Sequence, residues 1–187
     1  MGGYAKRFVE STGIPCRTGA GKTVYALLSP TQKVVRDIIL ANPFYEGMVS
    51  IKLHGGDEII VEGFPFLVVV SQKVVHEETY SVVCARTNVS LTLSREVKGT
   101  DGKNIVSNFE PLKTDFNAFG RVIGDGMKDT PAGLWDGTTY EFLVPESTGA
   151  QMNDRITMDG RNFRVHAADK TSVPGIRRLE CVVDTRR

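Results

Sequence analysis

Residues 57–88, DEIIVEGFPFLVVVSQKVVHEETYSVVCARTN, are written a second time without a gap as residues 154–185, DRITMDGRNFRVHAADKTSVPGIRRLECVVDT. Seven of the 32 aligned positions are identical: Asp57/Asp154, Ile59/Ile156, Gly63/Gly160, Phe66/Phe163, Val68/Val165, Lys73/Lys170 and Cys84/Cys181. Average residue usage gives roughly two by chance. In the second copy Ile156 and Met158 alternate with Arg155 and Thr157, and Phe163, Val165 and Ala167 alternate with Arg164 and His166. Period two means strands with one wet face. Asp159-Gly160, matched by Glu62-Gly63, supplies the positive-φ pair of a tight hairpin. A third strand follows in each copy, at 80–86 and 178–183, with Cys84 and Cys181 at matching inward positions. Each unit is a small meander.

A shorter match precedes each block. KTVYALLSP (22–30) meets GTTYEFLVP (137–145) through Thr23/Thr138, Tyr25/Tyr140, Leu28/Leu143 and Pro30/Pro145. The chain therefore reads as a divergent tandem duplication of one unit. The two blocks lie 18 residues further apart in the first copy, which implies an insertion there. Within it, Val34, Val35, Ile38 and Ile39 share one helical face, and Ser29 with Gln32 forms a capping box with Pro30 at the first helical position. An inserted α-helix at about 30–41 follows. A strand is expected within 47–54, at MVSIKL.

The fold class expected is mainly β: two tandem, duplicated small β-barrel or meander units, one inserted helix, and a β-hairpin arm at about 89–112 with the wet tip GTDGKN (99–104). The expected organisation is a first unit at 1–98, an arm return and connecting segment at 99–135, and a second unit at 136–187. The second unit alone, at 52 residues, is too small to close without help. Residues 1–22, rich in glycine, read as an irregular arm with one short element at most. The periodicity of 108–124 assigns no element.

Composition excludes more than it assigns. A hydrophobic content of 41% in 187 residues can bury a core, and 23 Lys plus Arg against 22 Asp plus Glu gives no electrostatic signal for phosphate neutralisation. Three separated cysteines do not make a disulfide framework, and reduced, cytosolic thiols are expected. MGGYAKRFVEST lacks the apolar run of a signal peptide, and no segment reaches the length that crosses a bilayer.

Chemistry-bearing residues are sparse. Cys16-Arg-Thr-Gly-Ala-Gly-Lys22-Thr23 resembles the end of a phosphate-binding loop, but such a loop needs a strand before it and a helix after it. Here the strand-like TVYALLSP follows, so a glycine-rich turn is the preferred reading. His54, His76 and His166 are not in ligand spacing, and no nucleophile signature is present. No catalytic residue, metal or cofactor is expected. Interface candidates are Leu67, Val69 and Val83, apolar where the second copy has Arg164, His166 and Glu180. Arg95, Lys98 and Lys103 on the arm join them. Trp135, the single tryptophan, either plugs the second core or anchors an interface; core is favoured, and it is kept in the interface set.

The glycine-rich start, the D-x-I-x-x-x-G-x-x-F-x-V block at 57–68 and 154–165, and the ending RRLECVVDTRR together resemble the small neck proteins of tailed bacteriophages, the head-completion or stopper proteins between portal and tail. Members of that group are often one such unit. The resemblance implies a structural, non-enzymatic virion protein, assembled in the host cytoplasm. It forms a homo-oligomeric ring, a hexamer, which joins a portal-adaptor protein to a tail-terminator or tail-tube protein. Genomic DNA passes through the lumen, and no membrane is involved. Six subunits with two units each would present twelve modules, matching a twelve-fold portal side to a six-fold tail. A tail-tube or baseplate-hub component is the alternative, and a nucleotide-binding enzyme using Lys22 the remote one.

Overall fold

The computed structural model describes residues 4–31, 43–75, 77–101, 104–122 and 140–186. One helix, α1 (Tyr4–Thr12), precedes β1 (Ile14–Thr18), β2 (Thr23–Pro30), β3 (Phe44–Val49), β4 (Glu58–Val61), β5 (Phe64–Lys73) and β6 (Tyr80–Arg86). Then come β7 (Val89–Asp101), β8 (Asn104–Val122), β9 (Tyr140–Pro145), a 3-10 turn (Glu146–Thr148), β10 (Arg155–Met158), β11 (Arg161–Asp169) and β12 (Ile176–Val183). The protein is mainly β: two six-stranded closed barrels in tandem. The first runs β1-β2-β3-β6-β5-β4 around the ring, and the second repeats the same order as β7-β8-β9-β12-β11-β10. Closure gives each barrel strand two neighbours and removes the edges that an open sheet leaves unpaired.

Alternation fills both interiors. Cys16, Val24, Ala26, Val49, Leu53, Ile59, Val61, Phe66, Val68, Val82 and Cys84 make the first core. Leu91, Leu93, Phe116, Ala118, Phe142, Val144, Ile156, Phe163, Val165, Leu179 and Cys181 belong to the second. The aromatic packing differs. Phe66 meets Tyr45 edge-on with centroids 5.0 Å apart, whereas Phe163 lies 4.8 Å from Tyr140 and 6.2 Å from Phe142.

The duplication extends to backbone detail. Shifting β4 by 97 residues gives β10, end for end. The hairpin turns match, Glu62 and Gly63 at φ 52° and 84° against Asp159 and Gly160 at 49° and 74°. Both copies carry a register shift in the middle strand, between Val68 and Val70 and between Val165 and Ala167. Before each block, Gly56 and Asn153 take φ 88° and 71° and donate their N–H groups to Val68 and Val165 at 2.8 Å. The carboxylates of Asp57 and Asp154 each accept the N–H three residues back, of His54 and Gln151, at 2.8 Å. A carboxylate there ties the turn to the strand it starts, which is why aspartate stands in both copies.

Several expectations are corrected. The TxYxxLxP match does not mark equivalent strands: in the ring, β9 holds the place of β3, not of β2. Both copies therefore have six strands, and the implied insertion in the first dissolves. Ser29 and Pro30 do not start a helix, because they pair with Glu46 and Tyr45 at the end of β2. The rest of the expected helix, 32–41, lies outside the described residues. The strand placed within 47–54 is β3 at Phe44–Val49. Its Gly47 is required because a Cβ would sit 1.7 Å from the Leu27 carbonyl oxygen. The boundary expected at 98 falls between Thr87 and Asn88. Residues 89–98 pair with β10 and β8, giving the second unit the strands that its 52 residues lacked. At the N-terminus, α1 packs Val9, fully buried, and ends where the Gly13 N–H donates to the Val9 carbonyl at 2.8 Å.

Candidate interaction site: the arm of the second barrel

β7 and β8 start as barrel strands and end as something else. β10 pairs with β7 only as far as Ser94, and β9 pairs with β8 only over 119–122. Between those limits the two strands pair with each other out to Asp101 and Asn104. Among the described residues, no further strand flanks 95–101. At about 3.3 Å per residue, β7 runs about 23 Å past its last barrel neighbour. The hairpin arm is present.

Its root is built by irregularity and charge. Leu91, Leu93 and Ser94 face Phe116, Lys113 and Pro111, so β8 carries two extra residues there, and Asp115 sits at φ 50°. Bulges bend and twist the strand that carries them and are common at barrel rims. Around this bend Arg95 donates to both carboxylate oxygens of Asp154 at 2.8 Å and to the Gly149 carbonyl at 3.0 Å. Asp154 is 2% exposed, so the bidentate pair compensates a buried charge. Nearby, Asp184 accepts from Arg155 at 2.8 Å and from Arg186 at 2.8 and 2.9 Å. The Arg155 guanidinium lies 3.4 Å over the Phe109 ring and that of Arg186 5.0 Å from it, and Arg186 also reaches Glu96 at 3.5 Å. Stacked guanidiniums fix the ring in two ways at once, by contact and by the quadrupole. Burial pushes the Asp184 carboxyl up, but hydrogen bonds from Arg186 and Arg155 outweigh it and hold the group down at about 2. The hydrogen bond to Asp154 raises the Arg95 guanidinium above its ordinary value.

The expected site residues separate. Leu67 is 1% exposed, buried by its own chain, and offers a partner nothing. Val69 and Val83 are half-buried on the outer wall of the first barrel, beside Val70, which is 37% exposed. Arg95 is held at the arm's root by Asp154 and the Gly149 carbonyl. Lys98 is exposed on the arm. Lys103 and Trp135 lie outside the described residues. Phe109, Arg155, Asp184 and Arg186 escaped sequence reading. Their signal was a change between copies: Glu58 and Thr87 of the first become Arg155 and Asp184 of the second, charges gained where the arm is.

Chemistry elsewhere is thin. Lys22 lies between strands β1 and β2, with the Thr18 N–H donating to the Lys22 carbonyl at 2.9 Å, so the helix a phosphate loop needs is absent from this place. Cys16, Cys84 and Cys181 are buried in the cores, and burial raises their thiols to about 11, 12 and 12. Such thiols stay protonated and are poor nucleophiles. Among the described residues, no cluster of His, Cys, Asp and Glu could hold a metal ion, and no helix is long and apolar enough to cross a membrane. A depression of about 270 Å³ at Tyr140, Arg161 and Asp184 falls under the ~300–1,000 Å³ of ligand pockets. No family model, curated protein or solved structure matches the chain.

Proposed function

We propose that this chain is a structural virion protein of a tailed bacteriophage, forming a ring in the neck that joins the portal side of the head to the tail around the DNA channel. The observation that carries the reading is the arm: a closed barrel, complete without it, projects two strands whose root is held by a dedicated charge cluster. A rigidly rooted projection suits a protein whose work is holding neighbours, and the repeated D-x-I block with its RRLECVVDTRR ending supplies the family resemblance. Partners on this reading are further copies of the chain, the portal-adaptor protein, a tail-terminator or tail-tube protein, and DNA in the lumen.

Near-neutral net charge fits a lumen through which DNA must slide, since a strongly basic wall would hold phosphates. Two similar barrels per subunit would let six copies present twelve modules. The test is the mass and symmetry of the purified protein, alone and mixed with portal-adaptor, by mass photometry and electron microscopy. A closed ring of six is expected. A threefold or stacked sixfold assembly would move the assignment to a hub or tube, and a monomer at every concentration would remove it.

A further inference from the structure

The arm has an open edge, and that edge is complementary to itself. Past Ser94, the side of β7 turned away from β8 has no strand beside it among the described residues. It therefore presents a row of backbone donors and acceptors to another strand. A two-stranded ribbon is marginal alone and gains by widening. Natural edges are guarded by charge, and Lys98 is such a guard. Two residues before it stands Glu96, with Val97, 40% exposed, between them.

If a second β7 lies antiparallel to the first with Val97 opposite Val97, Glu96 of each copy falls opposite Lys98 of the other, twice. Arg95 then falls opposite Gly99, which leaves room for the side chain held by Asp154. Opposite charges directly across a ladder attract, and like charges repel. The sequence Glu-Val-Lys is thus complementary to its own antiparallel copy. The barrels of a second copy are closed and offer no edge, so its arm is where a described free edge lies.

We propose that the arm pairs two copies of this chain edge to edge, β7 to β7, about a two-fold axis at Val97, making a four-stranded sheet. An isologous contact closes after two copies. It is therefore distinct from the contact that closes a ring, and goes beyond the function proposed above.

Two experiments on the full chain test it. The native cysteines are buried, so a cysteine in place of Val97 is the accessible thiol, and Cβ atoms directly opposite lie within about 4.5–5.5 Å. Val97→Cys should link to a covalent dimer under mild oxidation, while Lys98→Cys, which faces residue 96, should not. Charge exchange is the second. Glu96→Lys gives an arm with two lysines and Lys98→Glu one with two glutamates. Each alone should weaken association about tenfold, and an equimolar mixture should restore it in sedimentation velocity. Equal cross-linking at 97 and 98, or a mixture no tighter than its parts, would overturn the proposal. A ring count other than six would leave these results unchanged.

Discussion

In the first barrel the chain crosses from Thr18 to Lys22 through three residues, 19–21; in the second, the crossing from Leu93 to Lys113 takes 94–112. The two crossings are the same place. Thr18 pairs with Ile59 and Leu93 with Ile156, and those partners are identical positions of the repeat. One copy keeps a tight glycine turn with Gly21 at φ 77°, and the other has grown an arm and a charge cluster to hold it. The outer walls diverge as well. Leu67 and Val83 of the first copy correspond to Arg164 and Glu180 of the second, where Arg178 bridges Glu180 and the buried Glu141, itself also held by Arg121 at 2.8 Å. A barrel's interior is fixed by packing, while turns and outer walls are free to take on work, and the second copy has taken more of it.

Substitutions at matched positions sharpen this contrast. The largest effect is expected at Phe163, which packs against two aromatic rings. Phe163→Ala should cost about 4 kcal/mol in chemical denaturation of the second unit, and Phe66→Ala, with one ring neighbour among the described residues, less in the first. Asp154→Ala should cost about 2 kcal/mol, discounted because Arg95 is partly exposed. Its counterpart Asp57→Ala loses a turn hydrogen bond and an exposed contact with the His54 ring at 3.7 Å, about 1 kcal/mol; equal costs would mean that the arm clamp contributes nothing. Gly63→Ala and Gly160→Ala should each cost about 1 kcal/mol, the same in both copies.

The smallest effect is in pH. Because the Asp184 carboxyl is lowered to about 2, its contribution is fully present above the ordinary carboxylate range near 4 and is lost as pH falls through 2. Asp184→Asn should flatten the acid limb of the unfolding curve over that window, read by the near-ultraviolet signal of the second unit. An acid limb identical to wild type would remove Asp184 from the clamp.

The repeated strands were legible because their interiors alternate without interruption, and the turns because Glu62-Gly63 and Asp159-Gly160 carry the residues that positive φ demands. Other parts hid for physical reasons. β8 lost its period to two bulges and Pro111. β3 lost its pattern to Gly47, placed there for the Leu27 carbonyl and not for the core. Tyr25 and Tyr140 looked equivalent because each stands five residues before a proline that ends its strand, yet their strands hold different places in the ring. At the site, Lys98 was visible as an exposed charge in a predicted hairpin. The role of Arg95 was not, since its partner Asp154 lies 59 residues away.

The central claim is that the arm is an interaction device added to a barrel already complete, and shortening it tests that claim most directly. Residues 94–112 would be replaced by Gly-Ala-Gly, the crossing used by the first barrel, and folding and self-association measured together. The shortened chain should keep its cooperative unfolding transition and its β signature but no longer associate. A shortened chain that unfolds, or one that assembles as wild type does, would contradict it.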